Sequence, residues 1–304
     1  METTEHLIIG AGMTGLWLGH LLNQQNKSCQ VIDKSKGVGG RMATRRWNDQ
    51  KFDHGAQFYK LKSESQAFHQ LMTRGNLVRS IGDDKWIALD GISQLAKHML
   101  LNLTISLQKT VDKIIQLEGG IYQVTTLEGD IFSSKKLILT CPLPQTLKIL
   151  DQSHFTYPKS LSNLQYSKAI VFLLSSKNVV KFPYPNPYVE PQDSCFFSVA
   201  DQNFKTGNPG SAWTVTMNPN WSDQYFDGSE EDQLSAFKKE FKHFDSSFEF
   251  QVKKWRYSHP NQSHISLTGQ IEGHPYLYLA GDAFGGGSLN GAIRSAENTF
   301  KLLN

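Results

Sequence analysis

Gly10, Gly12 and Gly15 fall in one short stretch, Gly-Ala-Gly-Met-Thr-Gly, and Asp33 follows downstream. Glycines at this spacing suit a backbone that turns tightly, approaches a pyrophosphate and packs a helix closely on a strand. A carboxylate at the end of the next strand suits both hydroxyls of an adenosine ribose. A helix opening at Met13 and Thr14 offers unpaired N–H groups and partial positive charge to phosphates. The chemistry in view is dinucleotide binding, with the choice between nicotinamide and flavin left open.

Three further stretches bear on that choice. Gly39-Gly40-Arg41-Met42-Ala43-Thr44 can add donors to a diphosphate, although a Gly-rich turn with a solvated Arg has the same letters. Asp53-His54-Gly55-Ala56-Gln57-Phe58 has small residues that let backbone approach a flat ring, or it is an ordinary strand entry. Gly281-Asp282 stands before the last helix, where a carboxylate can hold a ribityl hydroxyl. The helix starting near Leu289, Asn290 and Ala292 can aim N–H groups at the flavin N1/C2=O edge, which becomes negative on reduction. A Gly-rich loop before a packed helix is the alternative there. Taken together, the stretches point to FAD.

These residues need elements to hold them. An apolar strand at 7–9, a helix at 13–25 and a strand at 29–33 make a β-α-β unit with parallel strands. Helices are expected at 63–73 and 92–101, a hairpin at 122–132, and a buried strand at 136–141 stopped by Pro142 and Pro144. After about residue 157 the texture changes to alternating strand-like runs at 166–174, 194–200 and 211–217. An amphipathic helix at 230–244 follows, with Ser229 as N-cap. A strand at 276–280 and a terminal helix, with Leu289, Ala292, Ala296, Phe300 and Leu303 on one stripe, return to the first texture. The expected fold is α/β: a discontinuous Rossmann-type FAD-binding domain (1–60, 89–157 and 252–304) plus a smaller α+β substrate domain with an antiparallel sheet (61–88 and 158–251).

Composition narrows the class. The chain has 304 residues, 39% hydrophobic and 19% charged, enough for a sizeable core without metals or disulfides. Lys+Arg is 31 against Asp+Glu 28, a charge of +3, which argues for neither a nucleic-acid nor a membrane-surface partner. Cys29, Cys141 and Cys195 are dispersed, so a reducing, cytoplasmic setting is expected, with no disulfide framework. No secretory signal or spanning segment is expected. The 10 histidines lack His-x3-His spacing, so no metal site is expected.

The ordered motifs resemble the renalase family, within the amine-oxidase-like FAD flavoproteins. The matching stretches are 9–15, Asp33-Lys34, Gly39-Gly40-Arg41-Met42 with Thr44, Asp53 with Gly55-Ala56-Gln57, and Gly91-Ile92-Ser93 with Lys97-His98. Leu139-Thr140, Pro142 and Pro144, Lys254-Trp255-Arg256 with Ser258, and Gly281-Asp282 with Gly291 continue the match. The block 158–250 matches loosely, and His54 stands where relatives often carry an apolar residue. The resemblance implies a non-covalent FAD held best by Thr14, Arg41, Ala56 and Gln57, with the Val111 backbone meeting adenine. It implies oxidation of 2- or 6-dihydro-NAD(P) isomers to NAD(P)+ by hydride transfer to flavin, with O2 reoxidising the flavin to give H2O2.

Hydride transfer to a flavin needs a water-poor cavity and neither a nucleophile nor a metal. Arg256, Trp213, Trp255, Tyr257 and His54 are the pocket candidates, and His259 also falls near the flavin in this reading. Each has a plainer role open to it: Trp in a core, Arg in a surface ion pair, His as a satisfied structural residue. Two other functions fit the same framework, a flavin amine oxidase or desaturase-like enzyme and a flavin-binding protein without turnover.

Overall fold

The computed structural model describes residues 3–304 except 102, 193, 245, 265 and 267. Its larger unit is built on a sheet whose parallel strands, in spatial order, are His274–Leu279, Ile131–Leu139, Thr3–Ile9, Cys29–Asp33 and Thr104–Leu107. Gly269–Ile271 adds an antiparallel edge. The strands carry their buried apolar residues toward their C-terminal ends, at Leu7–Ile9, Val31–Ile32, Leu137–Leu139 and Leu277–Leu279, where helices cover both faces. Ile8, Val31 and Ile138 pack under the helices Met13–Gln24, Ser93–Met99 and Ser288–Leu303, while Leu7, Ile9, Ile32, Leu137 and Leu139 face the helix Leu143–Gln152.

The expected hairpin is present, but its second arm does not stop. Tyr122–Thr126 pairs with residues 131–134, and the same strand runs on to Leu139 between Thr3–Ile9 and His274–Leu279. The separate strand expected at 136–141 is therefore the inner half of Ile131–Leu139.

The second unit is an antiparallel sheet, ordered Tyr188–Val189, Phe196–Asp201, Ser211–Met217, Tyr166–Ser176 and Glu249–Pro260. Glu249–Pro260 pairs with Tyr166–Ser176 from Glu249 to Trp255 and again at His259 and Pro260, with a register shift between, so the chain returns to the parallel sheet after Pro260 rather than at 252. The alternation expected at 166–174 is absent: residues 169–176 are all buried. The reason is cover on both faces. Ile170, Phe172 and Leu174 meet the helix Glu230–Glu240 and its neighbours, while Val171 and Leu173 meet Phe52 and Trp47 of the hairpin Thr44–Trp47/Gln50–Asp53. That second contact joins the two units.

Ser229 caps the helix Glu230–Glu240 as expected, its hydroxyl accepting from the Asp232 N–H at 3.1 Å. The helix ends four residues early, where Phe241 leaves helical geometry and turns into the aromatic core with Trp213 and Phe237. No helix among the described residues is long and apolar enough to cross a membrane, and those residues hold no cluster of ligating side chains fit for a metal.

Candidate FAD site

Parallel strands end together, and here Ile9, Asp33, Leu139 and Leu279 end along one edge of the sheet. Such an edge is where open α/β sheets hold ligands. Gly10 occupies the left-handed region at φ +114°, and its N–H donates to Ile32 O at 2.8 Å. A Cβ at Gly15 would lie 2.0 Å from Gly10 O, so only glycine lets the helix start against this turn. Gly12, by contrast, faces open space: a Cβ there would meet nothing within 4 Å. The helix Met13–Gln24 has no side-chain cap at Gly12, leaving its first N–H groups to that space.

A second glycine turn closes on the first. Gly12 and Gly39 form a parallel bridge, and Gly39 N–H donates to Ala11 O at 2.8 Å. Gly40 then sits above Gly12, with only the Gly12 Cα near a would-be Cβ, at 3.4 Å. Asp33 is oriented by backbone: Oδ2 accepts from Ala11 N–H and Oδ1 from Ser35 N–H, both at 2.7 Å. Lys34 beside it is exposed, and Met42 is buried in the helical core. Val111 opens the strand Val111–Gln116 and packs at the margin of the other core.

The far end of the chain meets these elements directly. The Thr14 hydroxyl donates to Ala292 O at 3.1 Å, joining the first helix to the last. Arg41 and Asp282 form a bidentate pair at 2.6 and 2.8 Å, and Arg41 also donates to Ser258 O at 3.0 Å. Burial works against the Arg41 charge, but Asp282 outweighs it and holds the guanidinium pKa above its ordinary value. Sequence reasoning assigns these two groups to a diphosphate and a ribityl chain; in the structure they are bonded to one another. The Tyr166 hydroxyl, unforeseen in the sequence, donates to Asp282 Oδ1 at 3.0 Å. Its only signal was its place at the start of a strand-like run.

Gly287 caps the helix Ser288–Leu303 without a side-chain bond, and Leu289 and Ala292 are buried beside it. Asn290 spends its side chain on Lys60, accepting from the N–H at 3.0 Å and donating to the carbonyl at 2.7 Å. The His259 ring lies against Gly287, so close that a Cβ there would stand 2.6 Å from the imidazole.

The Asp53–Phe58 segment is clamped onto the Arg41 turn. A Cβ at Gly55 would come within 1.8 Å of Arg41 O, the carbonyl to which Ala56 N–H donates at 2.9 Å. Gln57 turns both its side chain and its carbonyl to the second unit: Lys205 donates to Oε1 and to the backbone O, and Gln202 donates to Oε1. Phe58 packs edge-on against Tyr188.

Their contacts sort the pocket candidates. Trp255 stacks on His54 with 5.3 Å between ring centres and donates its Nε1–H to His54 O at 2.6 Å. Tyr257, two residues on, meets Tyr166 edge-on at 6.0 Å. Arg256 lies on the opposite face, exposed, over Phe226 and 3.9 Å from Asp227. It is a surface ion pair, outside the cleft. Trp213 is 1% exposed and packed against Phe182 and Phe248, a core residue on the helix side of its sheet. The site thus gathers His54, Trp255 and Tyr257 and leaves out Arg256 and Trp213.

These residues fit an FAD. Gly12 and Gly40 leave a cradle a Cβ would narrow, two helix mouths open without caps, and the buried His54 Nδ1 has no hydrogen-bond partner. Burial pushes the His54 pKa down to about 4, so the ring is neutral near pH 7. Burial likewise pushes the Cys29 and Cys141 thiols up to about 12 and Cys195 to about 11, so all three stay protonated.

A model of an NAD(P)-binding Rossmann-like domain matches residues 8–74. An acetone monooxygenase (methyl acetate-forming) of Gordonia sp. (strain TY-5) is 24% identical over 140 residues; the match covers 46% of this chain and 25% of that protein, so the chain spans about a quarter of its relative. Among solved structures, a redesigned putrescine oxidase superposes with a TM-score of 0.75 at 11% identity, covering 98% of each chain. A CLA-producing fatty acid isomerase from P. acnes superposes with a TM-score of 0.69 at 14% identity, also covering 98% of each. At such identities the superpositions speak for the fold. A model described as flavin containing amine oxidoreductase matches residues 76–299, most of the chain: this protein belongs to that family of oxidoreductases, and its cofactor is FAD.

Proposed function

We propose that this chain is a renalase-like oxidase that converts 2- or 6-dihydro-NAD(P) isomers to NAD(P)+ and passes the electrons to O2, giving H2O2. FAD, when bound without a covalent link, supplies the hydride acceptor. The diphosphate would be held by backbone N–H groups at Gly12–Gly15 and Gly40, the adenosine ribose by Asp33, and the ribityl chain by Asp282 with Arg41. The N–H groups at the start of Ser288–Leu303 would favour charge developing on the reduced ring.

The observation that carries the reading is the Tyr257–Tyr166 ring pair at the Arg41–Asp282 ion pair, with the His54–Trp255 stack on the same strand. Flat aromatic faces bind a dihydropyridine ring and keep water from it. None of the groups named is a strong base near pH 7: His54 is neutral with its pKa pushed down to about 4, the thiols are protonated, and the Tyr166 pKa is raised by burial and then by Asp282. A hydride donor that becomes an aromatic cation needs no base, whereas a protonated amine must first lose a proton.

Rapid anaerobic mixing of the FAD-loaded protein with 6-dihydro-NAD tests this. The yellow absorbance should bleach within seconds, and air should restore it with one H2O2 per turnover. No bleaching would contradict the proposal. Family membership favours a second reading, an amine oxidase, which gains if small amines bleach the flavin faster than any dihydropyridine.

A further inference from the structure

The second unit reaches the candidate cofactor site through one buried cation. Lys205, on the short helix Asn203–Thr206, is 8% exposed, yet no sequence motif marked it. Its ammonium donates to three acceptors, Asp53 Oδ2 at 3.0 Å, Gln57 O at 3.0 Å and Gln57 Oε1 at 2.8 Å, so all three N–H bonds are used. Neighbouring Gln202 adds two contacts to the same residues: its Nε2 donates to Gln57 Oε1 at 2.9 Å, and its Oε1 accepts from Asp53 N–H at 3.2 Å. Asp53 in turn accepts from the Thr44 hydroxyl at 2.7 Å and Ile92 N–H at 2.8 Å.

A buried ammonium is costly unless every bond is met, and apolar packing would close the same space more cheaply. What this arrangement adds is direction. Both ends of the Asp53–Gln57 segment are held by Lys205, and Ala56 between them donates to Arg41 O. Arg41 then pairs with Asp282. One path of hydrogen bonds therefore runs from the antiparallel unit through the 53–57 loop to the residue that ties the two chain ends together.

From this geometry we infer that Lys205 is a positioning residue for the FAD site: it sets the Gly55–Gln57 backbone, and through it Arg41, so the site is complete only when the second unit is docked. The FAD part of this inference rests on the function proposed above; the loop-setting part does not. Three forms test it: wild type, Lys205→Met and Lys205→Arg, with Asp53→Asn/Lys205→Met as a double variant that leaves no unpaired buried carboxylate should the single Met variant fail to fold.

Hydrogen exchange on the cofactor-free proteins reads the loop alone. Lys205→Met should speed exchange of the 54–58 amides while the Met13–Gln24 and Ile131–Leu139 amides keep their protection. FAD titration and visible spectra read the site. The dissociation constant should rise by roughly 10- to 100-fold, the scale on which outer-shell partners act at metal centres. The bound-flavin spectrum should shift, with Lys205→Arg in between. Unchanged loop exchange, or exchange raised evenly across the molecule, would overturn the inference. So would unaltered FAD affinity and spectrum alongside a merely lower melting temperature. A wild type that binds no FAD sinks the proposed function, while the exchange result still decides whether Lys205 sets the loop.

Discussion

Trp213 and Trp255 lie on the two strands that flank Tyr166–Ser176, and they face opposite ways. Trp213 pairs with Leu174 and looks into the aromatic core under Glu230–Glu240. Trp255 pairs with Ala169 and looks towards the hairpin of the other unit, where it bonds His54. Both are tryptophans in strands of one sheet, so type and local pattern cannot separate them. Which face each takes depends on pairing register, and that is settled by tertiary packing. The parallel unit differs in kind. There the site is made of backbone: glycines such as Gly10, Gly15 and Gly55, where a Cβ would strike a neighbour, with strand ends and helix mouths. The parallel unit loses its function through atoms added to the main chain, and the antiparallel unit through side chains removed from a face.

The sharpest way to break this contrast is Gly55→Val. Its Cβ would overlap Arg41 O, so the variant should lose about 4 kcal/mol or more of stability and most FAD binding, read by denaturant melts and cofactor titration. Retained colour and stability would mean the 53–58 segment does not press on the Arg41 turn. Trp213→Ala should cost about 3–5 kcal/mol through its cavity, yet leave the spectrum of bound flavin unchanged below its lowered melting point. A spectral change would return Trp213 to the cleft.

His54 gives a pH test of intermediate size. The unfolded ring binds a proton near pH 6.5 and the native ring only near pH 4, so the unfolded state holds the extra proton in between. Stability from this group is full above pH 6.5 and falls as pH drops towards 4, by a total on the order of 3 kcal/mol. In melts across that window, His54→Leu should flatten the slope; an unchanged slope would place the effect elsewhere. The smallest expected effect is Arg256→Gln. An exposed ion pair should change stability by under about 0.5 kcal/mol, and flavin affinity should not move. A large loss of flavin affinity would put Arg256 back among the pocket residues.

Much of the parallel unit was legible because its constraints are local. The glycines at 10, 12 and 15, the strand ending at Asp33 and the Gly281-Asp282 turn each carry their reason in one short stretch. Tyr166 and Lys205 were not legible. Each acts on residues more than a hundred positions away, Tyr166 on Asp282 and Lys205 on Asp53 and Gln57, and nothing beside them in the chain marks that contact. The strand Glu249–Pro260 was missed for a similar reason. Its charged letters, Lys253, Lys254 and Arg256, hide a strand whose Val252 joins the helix-covered core and whose Trp255 turns to the hairpin.

The account stands on one extended dinucleotide bridging both ends of the chain. A crystal structure of the yellow protein tests this most directly. We expect continuous density from a ribose at the Asp33 carboxylate, past Gly12 and Gly40, to a flavin ring at the mouth of the Ser288–Leu303 helix. A ligand confined to one side of the Arg41–Asp282 pair, or a protein that stays colourless with FAD, would contradict it.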